Sequence, residues 1–316
     1  MAETQTTPPD GPEDLTRESW SGALKRTVRE FREDNLTDWA AALTYYGVLA
    51  IFPALLAVVS VLGLIGPSAT QPLIDNVNAL APGPAKQLVV SAIRNLQHSS
   101  GAAGVLFVVG IALAIWSASG YVAAFMRASN VIYDVGEGRP IWKTLPTRVL
   151  TTLALLAMLA LVAVGVTVTG DLAHQVGMAL GIGDTAVTVW GIVKWPVIIA
   201  LVMAMLGLLY WAAPNVKHPH FRWITPGSIA GVVLWIAASA GFALYVANFS
   251  SYNETYGAIG GVIVFLTWLW ITNIAVLFGA ELNAELERGR QIEGGMNEDT
   301  EPFLEPRDTR KMENNS

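Results

Sequence analysis

The chain has 316 residues, 53% apolar and 14% charged, with a formal net charge of −6 and no cysteine. Soluble domains carry about one-quarter charged residues, so the composition argues against an ordinary soluble enzyme. The missing cysteines exclude disulfides, thiolate metal sites and cysteine nucleophiles.

Only 18 of the 44 charged side chains fall between Leu36 and Leu286, and the other 26 crowd into the two ends. The chain opens on a polar, acidic, proline-containing stretch, Met1 to Asp14, without the basic start and early apolar run of a secretory signal. The first membrane helix is therefore expected to direct insertion. From Arg17 to Asp34, apolar Trp20, Leu24, Val28 and Phe31 recur at helical spacing with basic residues between them. Such a helix either lies along the inner leaflet or packs on a membrane domain. Asn35 or Thr37 can cap the next helix, and Pro53 is expected to kink it.

A bilayer core of about 30 Å needs roughly 20 mostly apolar helical residues. Six stretches meet that length: Trp39–Gly66, Gly104–Met126, Thr147–Thr169, Ala186–Ala212, Pro226–Phe249 and Gly257–Ala280. Lys194 and Pro196 interrupt the fourth. Between the first two lies a longer segment, Pro67 to Ser100, whose halves read as short amphipathic surface helices on either side of Pro82 to Pro84. From Gln291 onward the chain is polar and irregular, which predicts disorder.

Orientation follows from Lys and Arg in the short loops. Sixteen of them fall in the N-terminal segment, the second and fourth loops and the C-terminal tail; only Lys86, Arg94 and Lys194 fall elsewhere. Both termini are thus expected in the cytoplasm. Trp39, Trp142, Trp211 and Trp223 then sit near the inner interface, and Trp190 and Trp195 near the outer one, as an aromatic belt requires. The expected fold is all-α: a cytoplasmic N-terminal segment with an interfacial amphipathic helix (residues 1–35), a six-helix transmembrane domain (36–288) and a disordered cytoplasmic tail (289–316).

Motifs for catalysis are missing. His98, His174, His218 and His220 are scattered, and His218-Pro219-His220 lacks the further ligands a hydrolytic metal site needs. No GxxxxGK[ST] phosphate loop and no GxSxG elbow occurs. No catalytic residue, metal or cofactor is assigned. Gly227 and Gly231, and Gly257 and Gly261, stand four apart on spans five and six, a spacing that lets helices approach closely.

The polar groups in or beside the spans carry most of the information, because burying them in lipid is costly. Glu281 and Glu285 stand four apart at the cytoplasmic end of span six, where like charges repel and acids oppose the helix dipole. Cations must answer them: Arg288 for Glu285, and Arg127 or Arg148 for Glu281. With Asn273, Asn283 and Asn130 they form a candidate cytoplasmic-side polar site. Asn273, deep in span six, reads equally as a hydrogen bond between helices. A candidate external site comprises Tyr252, Asn253, Glu254 and Tyr256, in a short turn from Phe249 to Gly257, together with Lys194. Lys194 either snorkels outward or is a buried ammonium, and the tyrosines either anchor the interface or line an entrance.

Several of these segments resemble one known family. Asp38 to Tyr46 followed by Phe52-Pro53, Ser129-Asn130 to Tyr133, Tyr210 to Asn215, Pro226-Gly227, Tyr252 to Gly257 and Gly279 to Glu285 together look like the YihY / virulence factor BrkB family. The resemblance runs in order from about Arg26 to Arg288. It implies a bacterial inner-membrane protein with six helices. Members have been labelled ribonuclease BN, yet no histidine–aspartate metal cluster supports nuclease chemistry. Roles suggested for the family include export of lipid or envelope components and cation/proton antiport, with no agreed site residues to carry over. The leading expectation is a transporter or lipid translocator without its own ATPase, with membrane lipids and a second copy of the chain as partners and no nucleic acid. The alternatives are a cation/proton antiporter and a non-transporting membrane scaffold.

Overall fold

The structure is a computed structural model that describes residues 8–65, 103–167, 184–219, 221–248 and 252–313. The segment expected between the first two spans, and with it Lys86, Arg94, His98, His174 and His220, lies outside the described residues.

After a 3-10 turn at Pro12–Asp14, α1 (Arg17–Glu33) begins at Thr16, whose hydroxyl accepts the backbone N–H of Ser19. Asn35 then adopts a left-handed φ of 52°, which ends α1 and lets α2 (Leu36–Ile65) start at once. Next come α3 (Ala103–Ile132), α4 (Ile141–Thr167), α5 (Asp184–Ala212), α6 (Pro226–Asn248) and α7 (Tyr252–Glu293), with a last turn, α8 (Arg310–Glu313). Asp134 stops α3 at φ 51°. Its N–H reaches the Val131 carbonyl, and the Val135 N–H reaches that of Asn130, the paired bonds of a Schellman stop. Gly295 (φ 96°) ends α7 the same way. α6 starts in a reciprocal cap, with Thr225 and Ser228 each bonding the other's N–H through its hydroxyl at 3.0 and 2.9 Å, and with Pro226 in its first turn.

The protein is all-helical among the described residues. Four of these helices hold stretches long and apolar enough to cross a bilayer: Ile141–Val162, Val187–Ala212, Pro226–Val246 and Gly260–Glu293. α5 runs unbroken through Lys194 and Pro196. The first two expected spans fall on α2 and α3, which are 30 residues each; many of their side chains lie outside the described residues.

Each helix from α2 to α7 packs on its neighbour in sequence, and α7 returns to α2, so the six close a ring in chain order; α1 lies along α7. Burial is concentrated at one end of this ring. Leu36, Leu43, Phe125, Tyr210, Leu277 and Ala284 are buried there. Farther along α7, Val262, Ile263, Val264, Phe265 and Leu266 are all exposed. Five consecutive residues span more than one helical turn, so α7 is partly open on every face at that level. α5 is exposed at Val189, Trp190, Ile192, Val193, Trp195 and Val197, with Lys194 buried among them. Among the described residues, the ring is closed at one end and more exposed toward the other.

The tail is a correction to the sequence reading. Residues 294–313 fold back over the closed end, where Phe303 and Leu304 are buried in the same core and Tyr133 stacks on Phe303 with centroids 5.6 Å apart. Val216 and Pro306 form a bridge, the Arg307 N–H reaches the Asn215 carbonyl at 2.9 Å, and Asn215 Nδ2 donates to the Asp308 carbonyl at 2.9 Å. A polar composition hid two well-placed apolar residues.

Candidate functional site

α7 carries most of the predicted site, and its faces part the residues. Asn273 is buried; it accepts a bond from the Tyr121 hydroxyl of α3 at 2.8 Å and donates to the Thr44 hydroxyl of α2 at 3.1 Å. It joins three helices. Asn283 faces α6, where its oxygen accepts the Gly227 N–H at 2.8 Å and its nitrogen donates to Thr225 at 2.9 Å. A Cβ on Gly227 would lie 2.0 Å from the Gly279 carbonyl oxygen, so backbones touch at this crossing. The close partner of Gly227 is thus Gly279. Gly261, expected to pack, has nothing within 4 Å.

Glu285 is answered, but mainly by a residue the sequence did not single out. Arg26 of α1 sends Nε to its carboxylate at 2.5 Å, while Arg288 stands at 3.6 Å. Arg288 also lies 3.4 Å from Glu301 and 4.0 Å from Asp134.

Glu281 is not answered. It is 0% exposed, and neither carboxylate oxygen has a hydrogen-bond partner. The expected partners are engaged elsewhere. Arg127 is exposed, its guanidinium 5.7 Å from the Tyr46 ring. Arg148 donates to Ser119 at 2.8 Å and lies over Trp116. The charges that weigh most on Glu281 are those of Asp34, Glu285, Glu30 and Asp134, all acidic. Crowding shows in the two outside the helical spans. Burial, then Asp134 and Glu30, pushes the Asp34 carboxyl up to about 7. Burial and then Glu301 push Asp134 up to about 6 against the pull of Arg288.

Asn130 belongs to a separate knot. It donates to Glu137 at 3.1 Å and accepts the Asn215 N–H at 2.8 Å, while Arg139 clasps Glu137 and donates to the Ala213 carbonyl at 2.8 Å. His218 borders this region, edge-on to Tyr133; burial and the nearby Arg307 bring its pKa down to about 4, which keeps it neutral. A small cavity of about 90 Å³ opens here between Tyr210, His218, Arg222, Asn283 and Arg290.

At the more exposed end, α7 is already helical from Tyr252, which shortens the expected turn. The side chains of Tyr252, Asn253, Glu254 and Tyr256 lie outside the described residues. Lys194 is buried, 4% exposed, with its ammonium 5.2 Å from the Trp195 ring. Ile198, one turn on and on the same face, packs against Gly165 of α4, so Lys194 faces that seam. Between α6 and α7 runs an apolar groove of about 550 Å³, lined by Ser239, Phe242, Val246, Gly261, Phe265 and Trp268. No three His, Asp or Glu among the described residues converge as a metal-ion set.

The predicted cytoplasmic site therefore resolves into separate seams, with Glu281 the one member lacking a structural partner. Against known proteins, the family model for Virulence factor BrkB matches residues 27–302. The ribonuclease-like protein YfkH of Bacillus subtilis (strain 168) is 31% identical over 80% of this chain and 90% of its own. A UPF0761 membrane protein of Mannheimia succiniciproducens is 25% identical over 84% of this chain and 89% of its own. Another, from Alkalilimnicola ehrlichii, is 29% identical over 82% of this chain, which spans only 57% of that relative. No solved structure matches.

Proposed function

The chain belongs to the virulence factor BrkB family, and on that premise we propose that it is a six-span bacterial inner-membrane protein, with cytoplasmic termini, that moves a lipid or envelope component without an ATPase of its own. The observation that supports the reading is the polarity of the ring: sealed by α1 and the tail at one end, with most described side chains of α5 and α7 exposed at the other. A translocator needs one closed and one open side, whereas a scaffold needs neither. The groove between α6 and α7 gives an acyl chain a lateral way in.

The closed end is the cytoplasmic one, because the basic residues of the sequence gather there. α1 lies against the bundle on one face. Ala23 and Thr27 are buried against the bundle, whereas Leu24 and Val28, each 47% exposed, face outward and would dip into the inner leaflet.

The test is reconstitution of the full chain in liposomes with a fluorescent phospholipid, following the fraction reachable by an external quencher. Accelerated exchange between leaflets over protein-free liposomes is the expected result, slowed by Phe265→Trp or Gly261→Trp in the groove. Exchange no faster than in empty liposomes would sink the reading and leave a scaffold. Cation-driven proton flux in the same liposomes tests antiport.

A further inference from the structure

Glu281 has a place on a seam that can be located closely. α1 runs antiparallel to α7: Ser19 meets Glu293, Arg26 meets Glu285, and Phe31 meets Phe278 with ring centroids 5.9 Å apart. Glu281 lies on α7 between the last two contacts, three residues after Phe278 and four before Glu285. On a helix those positions share one face, so Glu281 sits under α1 in the middle of the seam. Thr27 and Ala23 of α1, both 0% exposed, seal the same contact.

The cations along the seam pair with other acids, and among them the Nε of Arg288 is left without a hydrogen-bond partner. From α1, Arg26 is on Glu285 and its backbone carbonyl, and Arg29 is on Glu30. From α7, Arg288 is shared between Glu285, Asp134 and Glu301. The acids facing Glu281 are Glu30 from α1, Asp34 from the turn into α2, Asp134 from the end of α3 and Glu285 from α7 itself. The tail brings Glu298 and Glu301 to the flanking arginines. An ionised carboxylate here would be stripped of water, given no donor and surrounded by like charge, the least favourable setting such a group can have.

We propose that the Glu281 carboxyl is a proton-binding site, holding one proton while α1 is docked on α7 and releasing it to entering water when that seam opens. The O–H bond of the carboxyl breaks, the electron pair stays on oxygen, and the proton leaves on water. The inference deepens the transport reading and rests on it for its purpose, since it names the ion that would drive the closed end to open. Its sign is fixed: the docked state binds the extra proton, so acid favours docking and alkali favours opening.

The absence of cysteine makes a single thiol reporter available. Thr27→Cys in the full chain, in lipid nanodiscs, is labelled with a maleimide between about pH 5 and about pH 9, and the rate is corrected for thiol ionisation with a denatured control. The corrected rate is expected to rise on the order of tenfold with pH and to stay at its low value throughout when Glu281→Gln is added. An unchanged pH response in Glu281→Gln would overturn the proposal. A second measurement does not depend on the reporter: the infrared carbonyl band of a protonated carboxylic acid at neutral pH, to which Asp34, titrating at about 7, also contributes, is expected in the Asp34→Asn chain and should lose most of its intensity when Glu281→Gln is added. Its absence from the Asp34→Asn chain, or an unchanged intensity in the double variant, overturns the proposal too. If both readouts hold while no lipid exchange is found, the proton site stands and the transport reading fails.

Discussion

Arg26 and Glu285 stand 259 positions apart in the chain, yet the guanidinium Nε lies 2.5 Å from the carboxylate, with both side chains nearly buried. This pair fastens α1 to α7 at the closed end of the ring. Its energy comes less from attraction than from what either partner would suffer alone, a charge buried without an answer.

Arg26→Gln should therefore undock α1. Removing one partner of a buried pair costs about 3–5 kcal/mol, and the lower end applies because Arg288 still stands 3.6 Å from Glu285. The check is limited trypsin digestion of the purified protein, with faster cleavage at Lys25 and Arg29 expected in the variant. Cleavage at the native rate would show that the apolar contacts of Ala23, Thr27 and Phe31 hold α1 alone.

Gly227 and Gly261 offer a paired test, since both are helical glycines. Gly227→Ala would drive a methyl group into the Gly279 backbone, which cannot turn aside, and little folded protein should accumulate. Gly261→Ala meets open space and should stabilise the helix by up to about 1 kcal/mol. Size-exclusion profiles of the two variants in detergent settle the contrast. Equal profiles would mean that the α6–α7 crossing is looser than described.

These residues also show what the sequence could and could not reveal. The apolar runs that become α4 to α7 were legible because span length and hydropathy are local properties. The need for a cation beside Glu285 was legible from the helix end alone, whereas the cation expected beside Glu281 is not there. Arg288 was read as a partner of Glu285 and stands 3.6 Å from it, but the closer Arg26 was not, because it is one of several basic residues on α1 and nothing in its spacing points to α7. The partner of Gly227 was missed for a related reason: four-residue spacing marks a surface that permits close approach without naming what approaches. Asn283 and Asn130 looked like site residues because a polar group at a helix end reads the same whether it binds a substrate or, as here, a backbone N–H. The tail misled most, since Phe303 and Leu304 are too few to lift the hydropathy of a polar stretch.

Phe303→Ala measures what the tail contributes. The ring is buried, stacks on Tyr133 and lies under the Arg288 guanidinium, 5.5 Å from its centroid. Losing a buried phenylalanine costs about 3 kcal/mol or more. Residues 294–313 should then become sensitive to protease, and thermal unfolding in detergent should shift down. Resistance equal to that of the native chain would mean that the Arg307 and Asn215 bonds suffice to hold the tail.

Asp34→Asn tests the acidic crowding around Glu281. The Asp34 carboxyl titrates at about 7 in the folded protein against a usual 3.8, because burial and the nearby Asp134 and Glu30 disfavour its charge. The folded state therefore binds this proton more tightly than the unfolded one, and the two states differ most in proton content between those values. Below the unfolded value the group is neutral in both states and costs nothing. As pH rises toward and past the folded value, ionisation is forced on the folded protein, and stability falls relative to a neutral side chain. Asp34→Asn should consequently melt with the native chain near pH 4 and above it near pH 8. A variant that melts lower near pH 8 would show that the Asp34 carboxylate is held by a favourable contact, and that the seam around Glu281 is less acidic than its surroundings indicate.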